Sequence, residues 1–228
     1  MKFFVGMSMA AALLAAAPVA MAQTPPAGTA YVVTYIEVAP SAQADAADLL
    51  KAVAAASRKE GGNARYDVLQ RIDRENQFAI LEAWTDLKAA EAHLAGAAVK
   101  QFKEKLKPLQ ISFYDERPSN GIAVAPAAAE AGKDAIYAVT HVDVTPPNKD
   151  ECVVMLKKLA DDARKEPGSI QFEAWQQNNR GNHFTVTEIW KSRAAVDGHI
   201  ATAATKEFRE KLGPMSGALY DERLYKNL

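Results

Sequence analysis

Residues 77–93 read QFAILEAWTDLKAAEAH, and residues 183–199 read HFTVTEIWKSRAAVDGH. Both contain Glu-x-Trp-x(8)-His, as Glu82, Trp84 and His93 and as Glu188, Trp190 and His199. Each begins with the two-residue period of a strand, then passes through Asp86 or Ser192, residue types that cap helices, into a helical stretch. Working outward with the same shift of 106 residues, Tyr31 falls on Tyr137 and Arg117 on Arg223, with no gap between. More than a third of these positions are identical. They include Arg58-Lys59-Glu60 against Arg164-Lys165-Glu166, and Tyr114-Asp115-Glu116-Arg117 against Tyr220-Asp221-Glu222-Arg223. Two copies of this length are a duplicated domain, not a solenoid of short repeats.

The elements of each copy follow from local pattern. Residues 31–38 are rich in Val, Ile, Tyr and Thr and stop before Pro40, which predicts a strand; 137–144 before Pro146 is its counterpart. Residues 44–59 set Ala47, Leu50, Val53 and Ala54 at helical spacing and stop at Gly61-Gly62, or at Pro167-Gly168 in the second copy. Strands are expected over 66–72 and 77–84 with a turn near Asn76, then a helix carrying His93 and a helical stretch over 99–106 ended by Pro108. The last strand is expected over 109–116. The order β-α-β-β-α-β is the split βαβ, ferredoxin-like unit, an antiparallel sheet with helices on one face.

That layout leaves one sheet face bare. On the third strand Phe78, Ile80, Glu82 and Trp84 share the covered face, while Ala79, Leu81 and Ala83, or Thr185, Thr187 and Ile189, lie opposite. A largely apolar sheet face must find a partner, and the other copy is on the same chain. The expected class is therefore α+β, with two ferredoxin-like repeats packed as a pseudo-twofold barrel inside one polypeptide. Residues 30–117 and 134–228 form the repeats, and 118–133, rich in Ala, Pro and Gly, reads as a linker.

Residues 1–22 read as a signal peptide. Lys2 precedes an apolar run over 3–17, Pro18 breaks it, and Ala20-Met21-Ala22 has the small-x-small form of a cleavage site. The alternative is an uncleaved anchor, for which this Ala-rich run is short beside the ~20 apolar residues of a bilayer span. Cleavage makes Gln23 the first mature residue of a periplasmic or secreted protein with no remaining membrane span. The balance of 27 Lys+Arg against 28 Asp+Glu argues against a dedicated nucleic-acid binder. The one cysteine, Cys152, excludes an intrachain disulfide and a thiolate zinc cluster.

The paired Glu-x-Trp-x(8)-His motifs are preceded by Arg-Lys-Glu-(Gly/Pro)-Gly and followed by Lys-x-Phe, as Lys100 and Phe102 or Lys206 and Phe208. With this strand order the chain resembles the antibiotic biosynthesis monooxygenase domain family, in two tandem copies. The resemblance implies a dimeric α+β barrel and, for the quinol monooxygenases of the family, attack of dioxygen on a quinol or other small phenolic aromatic without a cofactor. The family also holds haem-degrading enzymes and members without known activity. A haem-binding or haem-degrading barrel and a non-catalytic small-molecule-binding or stress-related barrel therefore stand as alternatives. Haem-degrading relatives use an Asn on the first strand; here neither first strand has one, and Thr34 and Thr140 stand nearby. Antibiotic-type monooxygenases use an Asn a few residues before the Trp, where this chain has Ile80 and Val186.

The candidate catalytic residues are the duplicated trio. An imidazole has the pKa range of a general base, so His93 or His199 is expected to take a phenolic proton. Trp84 or Trp190 is expected to stack on the substrate ring and offer it an N–H, and Glu82 or Glu188 to orient the imidazole. A deprotonated dihydroxy-aromatic can itself reduce dioxygen, so no cofactor is required. No metal is expected, because His141 replaces Tyr35 and His183 replaces Gln77 between the copies, and no His-x(2–4)-His spacing gathers ligands. The absence of Gly-x-Gly-x-x-Gly argues against a nucleotide cofactor. The repeated Tyr-Asp-Glu-Arg is assigned to the sheet edge or to copy-to-copy contact. An enzyme of this kind keeps an enclosed cavity touching Trp and His in at least one copy, whereas a structural module fills that space. The fused pair leaves room for further self-association.

Overall fold

A computed structural model describes residues 29–125 and 131–228; the signal-peptide segment lies outside the described residues. Repeat 1 contains β1 (Ala30–Glu37), α1 (Gln43–Ser57), β2 (Asn63–Arg71), β3 (Gln77–Trp84), α2 (Leu87–Ala95), α3 (Ala97–Leu106) and β4 (Asp115–Ala123). Repeat 2 runs in the same order: β5 (Ile136–Asp143), α4 (Lys149–Ala163), β6 (Ser169–Gln177), β7 (His183–Trp190), α5 (Arg193–Ala201), α6 (Ala203–Leu212) and β8 (Asp221–Asn227). The eight strands form one closed barrel in the order β1-β3-β2-β8-β5-β7-β6-β4, all antiparallel.

Helices cover the outside. In repeat 1, Leu50, Val53 and Ala54 of α1 and Phe102 and Leu106 of α3 pack on Phe78, Ile80 and Trp84; in repeat 2, Leu156, Ala160, Phe208 and Leu212 pack on Phe184, Val186 and Trp190. The face expected to be bare is the lumen. Tyr31, Val33, Leu69, Ala79, Leu81 and Ala83 form one buried cluster with Tyr137, Val139, Trp175, Ile189 and Tyr225 of the other repeat. The helix stops predicted at Gly62 and Gly168 have a steric cause. Both take φ near +85°, and a Cβ at either would stand 2.7 Å from Ala89 Cβ or Ala195 Cβ.

Two expectations are corrected. The last strand of repeat 1 begins at Asp115, not at residue 109, and runs through Ala123, so the first six residues assigned to the linker are strand. The apolar run before it misled. After the Lys107–Leu109 turn, Ile111 and Phe113 are exposed on a loop. Pro118 and Gly121 then read as breakers, yet β4 has partners on both sides, β1 in its own repeat and β6 in the other. Gly121 sits at a register shift where a Cβ would press on Tyr31 Cε2 at 2.8 Å, so the tight lumen demands glycine there.

The repeats meet along two seams, β2 with β8 and β4 with β6. Arg65 on β2 reaches across the lumen to Gln171 Oε1 at 2.8 Å and Glu173 Oε2 at 3.0 Å. The Tyr-Asp-Glu-Arg runs also serve copy-to-copy contact, since the Arg117 guanidinium donates to His141 Nδ1 at 3.0 Å and Arg223 lies 5.4 Å over the Tyr35 ring. Removing one partner of a buried ion pair strands the other. Arg65→Met is therefore expected to destabilise by about 3 kcal/mol, measured by urea unfolding; a loss below about 1 kcal/mol would mean that Glu173 finds sufficient donors elsewhere.

Candidate functional site

Each Glu-Trp-His trio is assembled by a short connection. β3 ends at Trp84, Asp86 Oδ1 accepts from Ala89 N at 2.8 Å, and α2 turns back so that His93 lands on the indole. The rings stack with centroids 4.5 Å apart at 29°. In repeat 2 Ser192 caps α5, and His199 lies 4.8 Å from Trp190 at 30°. Trp84 Nε1 donates to Glu82 Oε2 at 2.9 Å, and Trp190 Nε1 to Glu188 Oε2 at 2.7 Å. The whole of each trio is buried, the two indoles fully.

This geometry assigns the side chains differently from the sequence reading. Each indole N–H is taken by a carboxylate of its own repeat, and one indole face by an imidazole, so neither is presented to a ligand. The imidazole is oriented by a residue that the motif reading passed over. His93 Nδ1 pairs with Glu60 Oε2 at 3.0 Å, and His199 Nδ1 with Glu166 Oε2 at 2.9 Å. Glu82 and Glu188 stand farther off, 3.6 and 3.8 Å from the two Nε2 atoms. The signal for Glu60 and Glu166 was present, because both close the Arg-Lys-Glu run shared by the copies. The result in each repeat is a carboxyl–imidazole–carboxyl chain leading from a partly exposed Glu at the end of the first helix to a buried one on the third strand.

Burial dominates the electrostatics of the inner carboxyls. It pushes Glu82 and Glu188 up to about 8 against the lowering effect of the indole hydrogen bonds, with Glu116 or Glu222 adding to the rise. Both carboxyls are thus mainly protonated at neutral pH.

A cavity of about 540 Å³ opens in repeat 1 at the barrel end where β3 begins. Its wall combines Tyr35, Phe78, Phe113, Tyr114 and Tyr225 with Glu37, Gln77, Asp115, Glu116 and Arg223. Trp84 and His93 are not among the lining residues. The link to the trio is electrostatic: Glu116 in the wall helps to raise the buried Glu82 carboxyl, and Glu82 in turn helps to hold the Tyr114 phenol protonated. Glu116 also pairs with Lys103 at 2.9 Å. Arg223 and Tyr225 come from repeat 2, so the cavity is completed across the seam.

At the corresponding end of repeat 2 stand the two histidines without a counterpart in repeat 1. His183 Nδ1 lies 3.4 Å from His141 Nε2, and His183 Nε2 lies 3.6 Å from Asp143 Oδ1. Burial, reinforced by the Arg117 guanidinium, pushes His141 down to about 4, and burial also lowers His183. No metal was expected on sequence spacing; the register Asp143↔His183 between β5 and β7 gathers three ligand-type side chains, the two histidines being 42 positions apart in sequence.

Comparisons with known proteins agree with this architecture. A family model for antibiotic biosynthesis monooxygenase matches residues 29–105 and again 135–211. The chain belongs to that family, in two tandem copies. It is 35% identical over 75 residues to YcnE of Bacillus subtilis, a protein described provisionally as a monooxygenase, and covers 79% of its length. It is 30% identical over 105 residues to sll1783 of Synechocystis, an uncharacterised protein, and covers 71% of it. A solved structure from Fusobacterium nucleatum, described in the same provisional terms as YcnE, superimposes with TM-score 0.78 at 16% identity, covering 89% of this chain and 94% of that one. An anthrone oxidase-like protein gives 0.71 at 17%, covering 91% and 94%. At such identities the two structures attest the fold alone.

The raised inner carboxyls fix the sign of a pH effect. An ordinary unfolded Glu loses its proton near pH 4.5, whereas folded Glu82 keeps it to about 8. The folded state therefore binds more protons in that window, and stability falls as pH rises from about 4.5 to about 8. Glu82→Gln keeps an acceptor for Trp84 and removes the titration. It is expected to gain on the order of 2 kcal/mol over the parent on going from pH 5 to pH 8. Urea unfolding across that range decides the matter: parallel pH profiles would mean that Glu82 titrates normally.

Proposed function

We propose that this chain is a cofactor-independent monooxygenase acting on a quinol or another small phenolic aromatic, held in the aromatic-lined cavity of repeat 1. The observation that carries the reading is that cavity, with carboxylates at its wall and a buried acid held near neutral pKa behind them. Tyr35, Phe78, Phe113 and Tyr114 give the wall its aromatic character, Glu37 and Glu116 accept from phenolic hydroxyls, and Arg223 stabilises a phenolate. Glu116 takes the first proton, while Glu82, His93 and Glu60 form a proton store behind it. His93 then acts through Glu82 and Glu116 rather than by touching substrate.

The reaction balances without a bound group. A deprotonated 1,4-dihydroxybenzene transfers an electron to dioxygen, and the semiquinone and superoxide so formed combine at a ring carbon. The O–O bond then breaks, leaving a hydroxyquinone that keeps one oxygen atom and a water that carries the other. All four electrons come from the ring, which fits a family whose monooxygenases generally work without a cofactor. Export to the periplasm or beyond belongs to the same proposal and rests on residues 1–22; N-terminal sequencing of the mature protein would then begin at Gln23.

A second reading, a binding barrel without turnover, draws on the packing of both trios. By the criterion of a cavity touching Trp and His, the trio is core, and the open space is lined by other residues. Oxygen uptake separates the two. With a panel of quinols, the chain from Gln23 onward is expected to consume oxygen after chelation. Glu116→Gln should lower the rate at least tenfold, and Gln77→Trp, which narrows the cavity, should lower it as well. No uptake with any quinol, or rates unchanged in both variants, would leave the binding barrel in possession.

A further inference from the structure

We propose that His141, Asp143 and His183 form a binding site for one divalent first-row transition cation at the barrel end of repeat 2. One ligand atom from each can be chosen so that all lie within 4.8 Å of one another. The backbone sets this up. His141 and Asp143 are two apart on β5 and so share a face, and His183 on β7 is the register partner of Asp143. The site is reachable, since Asp143 and His183 side chains are each 16% exposed. Two imidazoles and a carboxylate are the donor set that suits zinc, iron(II), cobalt(II) or nickel(II). Three protein ligands leave positions open for water or a small molecule.

The comparison between repeats supports the assignment independently. The corresponding positions in repeat 1 are Tyr35, Glu37 and Gln77, where Gln77 Nε2 donates to Glu37 Oε1 at 3.0 Å and the space serves the cavity. The chain has four histidines. Two are the duplicated pair, and the other two meet in this cluster. A further exchange makes room for it: Ile111 in repeat 1 is replaced by Gly217, where a Cβ would lie 2.9 Å from Asp143 Oδ1. Asn182 Nδ2 donates to the same oxygen at 3.3 Å and to Val144 O at 2.7 Å, which orients the carboxylate.

The charges around the cluster are Asp143 itself, the cations Arg117 and Arg180, and Asp221, the register partner of His141 on β8. Arg117 Nη1 donates to His141 Nδ1, so the ring turns Nε2 towards His183. Coordination through Nε2 moves the ring proton to Nδ1 and turns Arg117 onto Asp115, which already accepts from its Nε at 3.0 and 3.1 Å.

The test is a titration of the chelated chain from Gln23 onward with cobalt(II), followed by its visible d–d absorption. One cobalt per chain at micromolar affinity is expected. Affinity should fall at least tenfold in each of His141→Tyr, Asp143→Asn and His183→Gln, the first and last of which install the residue that repeat 1 carries. Circular dichroism establishes that each variant is folded. No binding by the parent, or unchanged binding in any folded variant of the three, would overturn the site.

Discussion

Everything in this molecule depends on covering the second face of each sheet. A ferredoxin-like unit buries one face under its helices and leaves the other apolar and exposed. Here the two lumen-facing surfaces meet across Leu69, Leu81, Trp175 and Tyr225, and the seams β2·β8 and β4·β6 turn two sheets into a barrel without an edge. The cavity follows from the same closure, because Arg223 and Tyr225 of repeat 2 complete a wall begun by Tyr35, Phe78 and Tyr114 of repeat 1.

Fusing the repeats also frees them to differ. A twofold homodimer places each residue near the axis opposite its own copy. In this chain Arg65 faces Gln171, the residue at its own position in repeat 2, and a neutral partner removes the repulsion of two guanidiniums. The same freedom separates the two barrel-end sites. Tyr35, Glu37 and Gln77 border an open aromatic cavity, whereas His141, Asp143 and His183 draw together into a compact polar cluster. The trios, by contrast, are duplicated with their hydrogen bonds intact, and so are the outer carboxylates Glu60 and Glu166.

The fold was legible because two periodicities agreed with a repeat. Alternation on the third strand told the lumen face from the helix face, and an internal copy supplied the partner. The site was only partly legible. Sequence spacing marks Glu82, Trp84 and His93 as special but cannot say which atoms they satisfy, and the answer is mainly one another. Glu60 was hidden because it reaches His93 from 33 residues away, through a turn rather than along a strand face. The His141–Asp143–His183 cluster was hidden for a similar reason, since register brings its members together and spacing does not. The linker was misplaced because Pro118 and Gly121 are poor strand residues in isolation, and only barrel closure gives them neighbours on both sides.

The central claim, that one chain closes its own barrel, is tested most directly by the urea-unfolding midpoint over a hundredfold range of protein concentration. Closure within the chain predicts a single transition whose midpoint does not move on dilution. A midpoint that falls as the protein is diluted would mean that a second chain supplies the missing sheet face, and would contradict the account.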